Sequence, residues 1–128
     1  MKLELVVNLS LKASHSLEER ETPHEHLWDI QVGLQGTLNK GRVLSLTQAQ
    51  ERFAVLLTPL QNTLLNNNKY LDSSTRQNPT CENLAIFLVE RLQNALSQMP
   101  ESKNVTLSFV EVGLWEKEGK LGSARVSL

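Results

Sequence analysis

The sequence holds one cysteine, Cys81, so no disulfide can form within the chain. It has no surplus of either charge: thirteen Lys and Arg against fourteen Asp and Glu leave a net charge of -1. That balance excludes a bulk field able to hold a nucleic acid or an anionic membrane. No apolar run approaches the roughly 20 residues needed to cross a bilayer. The opening residues, MKLELVVNLSLK, alternate where a signal peptide would carry an unbroken apolar stretch. No low-complexity linker or internal repeat divides the chain. These absences predict one soluble, cytoplasmic domain over residues 1–128, with enough apolar residues, 40%, to bury a core.

What is present falls into two periods. Leu3, Leu5, Val7, Leu9, Leu11 and Ala13 recur at every second position against Glu4, Asn8, Ser10 and Lys12, which predicts a half-buried first strand. From His24 the same period returns through Trp28, Ile30, Val32 and Leu34 and ends at the turn Asn39-Lys40-Gly41. The period then becomes helical. Ala49, Phe53, Leu56, Leu57, Leu60 and Leu64 share a face, Ser45 or Thr47 can cap it, and Pro59 must kink or end it. A polar loop from Tyr70 to Asn78 precedes Pro79-Thr80-Cys81-Glu82, a helix start with an acid in its first turn. Leu84, Leu88, Leu92, Ala95 and Met99 form that helix's apolar stripe. Val105, Leu107, Phe109 and Glu111 alternate again, and a turn at Glu118-Gly119-Lys120 leads into a last strand from Leu121 to Leu128. The order strand, strand, helix, helix, strand, strand predicts a sheet with both helices on one face.

Histidine is scarce, and two of the three stand together in "ETPHEHLW", residues 21–28. In a strand, residues i and i+2 project to one face, so His24 and His26 would lie side by side. His15, at the end of the first strand, lies across from them if the two strands pair as a hairpin. Three imidazoles with an open position suit a catalytic zinc; three exposed loop imidazoles without a shared partner fit the spacing as well. Trp28 reads as core, Trp115 as an edge or subunit contact, and Cys81 as a small packed residue whose place at a helix start also suits a lowered thiol pKa.

The "ASH" at 13–15, "HEH" at 24–26, "PTCENLA" at 79–85 and "FVEVG" at 109–113, in this order around this element pattern, resemble the 6-pyruvoyl tetrahydropterin synthase and 6-carboxy-tetrahydropterin synthase family. The resemblance spans nearly the whole chain. It implies an α+β fold of ββααββ order, the tunnelling or T-fold. There an antiparallel four-stranded sheet, with two helices on one face, joins neighbours into a barrel as a trimer or a hexamer. It implies zinc held by His15, His24 and His26, a pterin substrate near Thr80 and Glu82, the pterin ring gripped by Glu111, and ligand sites between subunits.

The sequence departs from the family at several positions. Residues 16–23 contain no cysteine where the family keeps its nucleophile or base. The family's Asp-His dyad aligns with Gln61-Asn62, neither of which takes up a proton near neutral pH. Glu25 replaces the glycine of the histidine pair, and Ser45 replaces an aspartate in "GRVLSL". Some members carry a glutamate ahead of the histidine pair and are linked to side-chain cleavage of dihydroneopterin triphosphate; Glu21 stands in that place here. As a general base it would need partial burial to raise its pKa toward neutrality, whereas in the charged run with Glu18, Glu19 and Arg20 it reads equally as an exposed loop acid. Asp72 is the reserve candidate for the base. The expected function is a zinc-dependent pterin enzyme acting on dihydroneopterin triphosphate. The alternatives are a homologue that binds zinc and pterin without turnover and an unrelated chain with a structural or interaction role.

Overall fold

The computed structural model describes residues 2–18 and 21–128; Glu19 and Arg20 of the charged run lie outside them. Alternation in the first part of the chain produces β1 (Glu4–His15) and β2 (His24–Gly36), an antiparallel pair with Leu9 opposite Ile30, Leu11 opposite Trp28 and His15 opposite His24. Val7, Leu9, Leu11 and Ala13 point into the core, while Asn8, Ser10 and Lys12 point away. With β3 (Val105–Glu116) and β4 (Gly119–Ser127) they form one antiparallel sheet in the order β1-β2-β3-β4.

One irregularity corrects the expectation that Val105, Leu107, Phe109 and Glu111 share a face. Leu34 lies opposite Leu107 but Gly33 lies opposite Phe109, so Ser108 is an extra residue in β3. Because side chains alternate, one added residue turns everything after it to the other side. Val110 and Val112 therefore take up the core face, while Phe109 and Glu111 turn to the face that carries no helix. Phe109 is still only 4% exposed. Its ring lies over Gly33, where any Cβ would overlap it, and the Arg125 guanidinium covers it at 3.9 Å.

The helices close the other face. Ser45, not Thr47, caps α1 (Leu46–Leu57), accepting the Gln48 N–H, and Ala49, Phe53 and Leu57 bury its inner stripe. Pro59 ends the helix: Thr58–Leu60 tightens into a single 3-10 turn that still delivers Leu60 to the core, and Leu64 lies beyond any α-helix. The stretch from Tyr70 to Asn78, expected as loop, contains the short helix α2 (Ser73–Gln77), nucleated by Asp72 as cap. Thr80 caps α3 (Cys81–Ser97), so Pro79 precedes the cap instead of opening the helix. Leu84, Leu88, Leu92 and Leu96 bury α3 against the sheet, and Trp28 of β2 is wholly buried in the same core. No helix among the described residues is long and apolar enough to cross a membrane.

Candidate functional site

The three histidines gather where β1 ends and β2 begins. His15 and His26 are buried, and His24 is exposed at the strand start. The rings of His15 and His26 stand 5.0 Å apart between centroids and nearly perpendicular, and those of His24 and His26 stand 6.1 Å apart. Trp28 packs edge-on against both buried rings, its indole N–H spent on the Ala13 carbonyl at 3.1 Å.

Hydrogen bonds fix how the rings are presented. His15 Nδ1 lies 2.8 Å from the Pro79 carbonyl and His26 Nδ1 lies 3.2 Å from the Trp115 carbonyl. A carbonyl only accepts, so each Nδ1 carries a proton, and in the neutral ring Nε2 then keeps its lone pair, the tautomer a metal needs. Burial draws the His15 pKa below its ordinary value, which favours the same neutral form. Two imidazoles on one tetrahedral zinc, with Zn–N distances of about 2.0–2.1 Å, place their ring centroids about 5 Å apart. The His15–His26 spacing fits that figure. His24 stands wider, its Nε2 held by Glu21 Oε1 at 3.0 Å, and joins the pair only by releasing Glu21 or offering Nδ1. Accordingly, no group of three His, Cys, Asp or Glu among the described residues is already disposed as a set of metal ligands. The donor chemistry suits zinc, with two rings in place and the third latched to an acid.

Glu21 departs from expectation in its ionisation. Its Oε2 accepts the Leu17 N–H at 2.8 Å and its Oε1 meets His24. These contacts, the Leu17 N–H foremost, hold the carboxyl below its ordinary value, the reverse of the burial-driven rise that a base tuned to neutrality requires. Asp72 offers no replacement. It caps α2, taking the Thr75 N–H and hydroxyl, and these hold its carboxyl low as well.

The helix-start motif reaches the histidines through its backbone. The Pro79 carbonyl holds His15, the next residue, Thr80, spends its hydroxyl on the Asn83 N–H, and Glu82 is exposed in the first turn. Glu111 is not brought to them. It lies on the opposite sheet face, paired with Arg125 Nε at 3.1 Å and Lys120 Nζ at 3.9 Å. Burial pushes the Cys81 thiol up, so the lowered pKa considered for it is not found.

Gln61 and Asn62 have a plain structural use. The Gln61 side-chain amide takes the Lys12 N–H at 3.0 Å and gives to the Ser10 carbonyl at 3.0 Å, copying a strand's pairing along the outer edge of β1. The Asn62 N–H continues it to the Lys12 carbonyl, the Ser14 N–H reaches the Thr63 carbonyl, and the Asn66 side chain brackets Ser16 from both sides. Asn62 adopts a positive φ of 59°, which asparagine tolerates, to make the corner.

Comparison with known proteins follows this geometry. The family model described as 6-pyruvoyl tetrahydropterin synthase matches residues 4–125. A dihydroneopterin monophosphate aldolase of Pyrococcus furiosus is 28% identical over 109 residues, covering 84% of this chain and 90% of its own. Among solved structures, the 6-pyruvoyl tetrahydropterin synthase of Caenorhabditis elegans superposes with a TM-score of 0.75 at 17% identity, covering 100% of this chain and 96% of the other. An uncharacterised protein of Wolinella succinogenes superposes with a TM-score of 0.71 at 14% identity, covering 99% and 98%.

Proposed function

Because this chain belongs to the 6-pyruvoyl tetrahydropterin synthase family, a T-fold family of pterin-metabolising enzymes, we propose that it is a zinc-dependent lyase that cleaves the side chain of a phosphorylated dihydroneopterin. The observation that carries this reading is the buried His15–His26 pair. Each ring is held through Nδ1, the ring centroids stand 5.0 Å apart as on one zinc, and His24 and the Glu21 carboxylate stand beside them. The relative named for dihydroneopterin monophosphate supports cleavage as the reaction type and sets the monophosphate beside the triphosphate as a substrate.

His15, His26 and His24 would hold the metal. Zinc bound there would polarise the hydroxyls of the substrate's side chain. Glu21, already ionised, takes the proton of the 2′-hydroxyl. As that oxygen becomes a carbonyl the C1′–C2′ bond breaks, and its electron pair passes into the pterin ring until C1′ is protonated. A carboxylate held this acidic is a modest base, so the hydroxyl must be activated for the transfer to run. Thr80 and Glu82 follow Pro79, whose carbonyl holds His15, and would orient the pterin. Glu111, on the far sheet face, serves a pterin ring only across a subunit boundary, which requires the trimer or hexamer expected of the sheet's unpaired edges.

A second reading has its own support. The Gln61 side chain and the Asn62 backbone N–H serve edge pairing, and neither side chain takes up a proton near neutral pH, so a homologue that binds zinc and pterin without turnover fits the same site. Metal analysis followed by assay of both dihydroneopterin phosphates separates the two. We expect close to one zinc per chain, lost in His24→Ala and His26→Ala, with release of the two-carbon aldehyde still carrying the substrate's phosphate group. Bound zinc and bound pterin without product would transfer the case to the second reading. Freshly purified protein free of transition metal would end both.

A further inference from the structure

On the open face of the sheet, away from the histidines, Asp29 Oδ1 accepts the Trp115 indole N–H at 2.7 Å and its Oδ2 meets Lys120 Nζ at 3.5 Å. This clamp is built into the strands. Gly113 lies directly opposite Asp29, and the space a Cβ would fill there is occupied by the Asp29 carboxylate and the end of Lys120. Trp115 itself sits at a bulge: Leu114 pairs with Gly122 and Trp115 with Lys120, skipping Leu121. On the β2 side Trp115 still pairs with Leu27, but beside the bulge and one position from its strand's end the ladder holds it regularly on one side only, so side-chain contacts add to its placement. The Trp115 carbonyl is the group that accepts His26 Nδ1–H.

We propose that Asp29 is a positioning residue for His26, acting across the sheet through Trp115: the carboxylate pins the indole on one face, and the carbonyl of the same residue then presents the buried ring on the other with Nε2 free. The inference rests on the metal reading for its purpose, but the coupling it names exists in the zinc-free protein. Outer-shell partners of metal-bound histidines typically contribute about 10–100-fold in affinity, and one acting through an intermediate residue belongs at the lower end.

The test uses Asp29→Ala, Asp29→Asn and Trp115→Phe in the full chain, with two readouts. The first is zinc affinity by competition with a chromogenic chelator; the second is the tautomer of His26 from the nitrogen shifts of the metal-free protein. We expect zinc affinity about tenfold weaker in Asp29→Ala and Trp115→Phe. In both, His26 should pass from the Nδ1–H form to a mixture. Asp29→Asn, whose amide oxygen still accepts the indole N–H, should stay near wild type. Trp115→Phe removes the donor and keeps an aromatic ring at a partly exposed position, so it stands in if Asp29→Ala fails to fold. Wild-type affinity and tautomer in both would overturn the inference, as would an Asp29→Asn as impaired as Asp29→Ala, because charge and not the indole bond would then matter. A wild type without zinc affinity would remove the metal reading alone, and the tautomer would still decide the coupling, with unchanged His26 signals overturning it.

Discussion

Glu21 divides its two oxygens between the Leu17 N–H and the His24 ring, which makes it both a candidate base and the latch on a candidate ligand. Glu21→Gln should retain zinc and pterin while losing about 10²–10⁴-fold in turnover, since that is what removal of a general base costs; undiminished product formation in steady-state assay would take Glu21 out of the reaction. His15 gives a pH signature. Its pKa lies below the ordinary imidazole value of about 6.5, so as pH falls the unfolded chain binds a proton before the folded one does. The unfolded state is then favoured, and stability contributed by neutral His15 is lost progressively below about pH 6.5. The melting temperature of chelator-treated protein should therefore drop between about pH 7 and pH 5, and drop less in His15→Gln; parallel profiles would contradict this. The histidines were legible from spacing, because strand geometry puts i and i+2 together whatever the rest of the fold does. Their partners were not: the carbonyls of Pro79 and Trp115 belong to the main chain, which every residue shares, and nothing in the letters marks the two that meet an imidazole.

At the scale of elements, β1, β2 and the two long helices follow from period alone, since each buries a continuous apolar face, whereas β4 buries no side chain fully and was marked by the turn ahead of it. Two features escaped that logic. α2 has no apolar stripe; Asp72 starts it and packing of Thr75 holds it. The Ser108 bulge sits inside an unbroken alternating run, so the pattern reads as one face when it is two. Gly33 is its hidden marker, because the displaced Phe109 ring needs a neighbour without a Cβ. Gly33→Ala should destabilise the fold by about 1–3 kcal/mol, the usual penalty of forcing an extra methyl into a packed site. Gly122→Ala, where a Cβ meets nothing within 4 Å, should stay within about 0.5 kcal/mol. Urea denaturation of the pair checks this, and equal midpoints would mean that Phe109 moves aside freely.

For the whole molecule, the expected state is a trimer or a hexamer, and sedimentation at micromolar concentration should find one of them; a monomer would leave Glu111 without a route to any histidine. The edge contacts of Gln61, Asn62, Thr63 and Asn66 bear on how copies can meet. They take up outward backbone groups from the Ser10 carbonyl to Ser16, just past the end of β1, and Gln50 reaches the Asn8 carbonyl, so bare strand remains in the first half of β1, toward Glu4. A neighbour adding its β4 must pair with that first half and overhang the rest. An offset repeated from copy to copy is shear, and shear tilts strands and curls a sheet shut where a flush alignment would extend it as a ribbon. Gln61 and Asn62, where the resemblance leads one to expect an acid–base dyad, would then act on the pitch of the barrel instead of on protons.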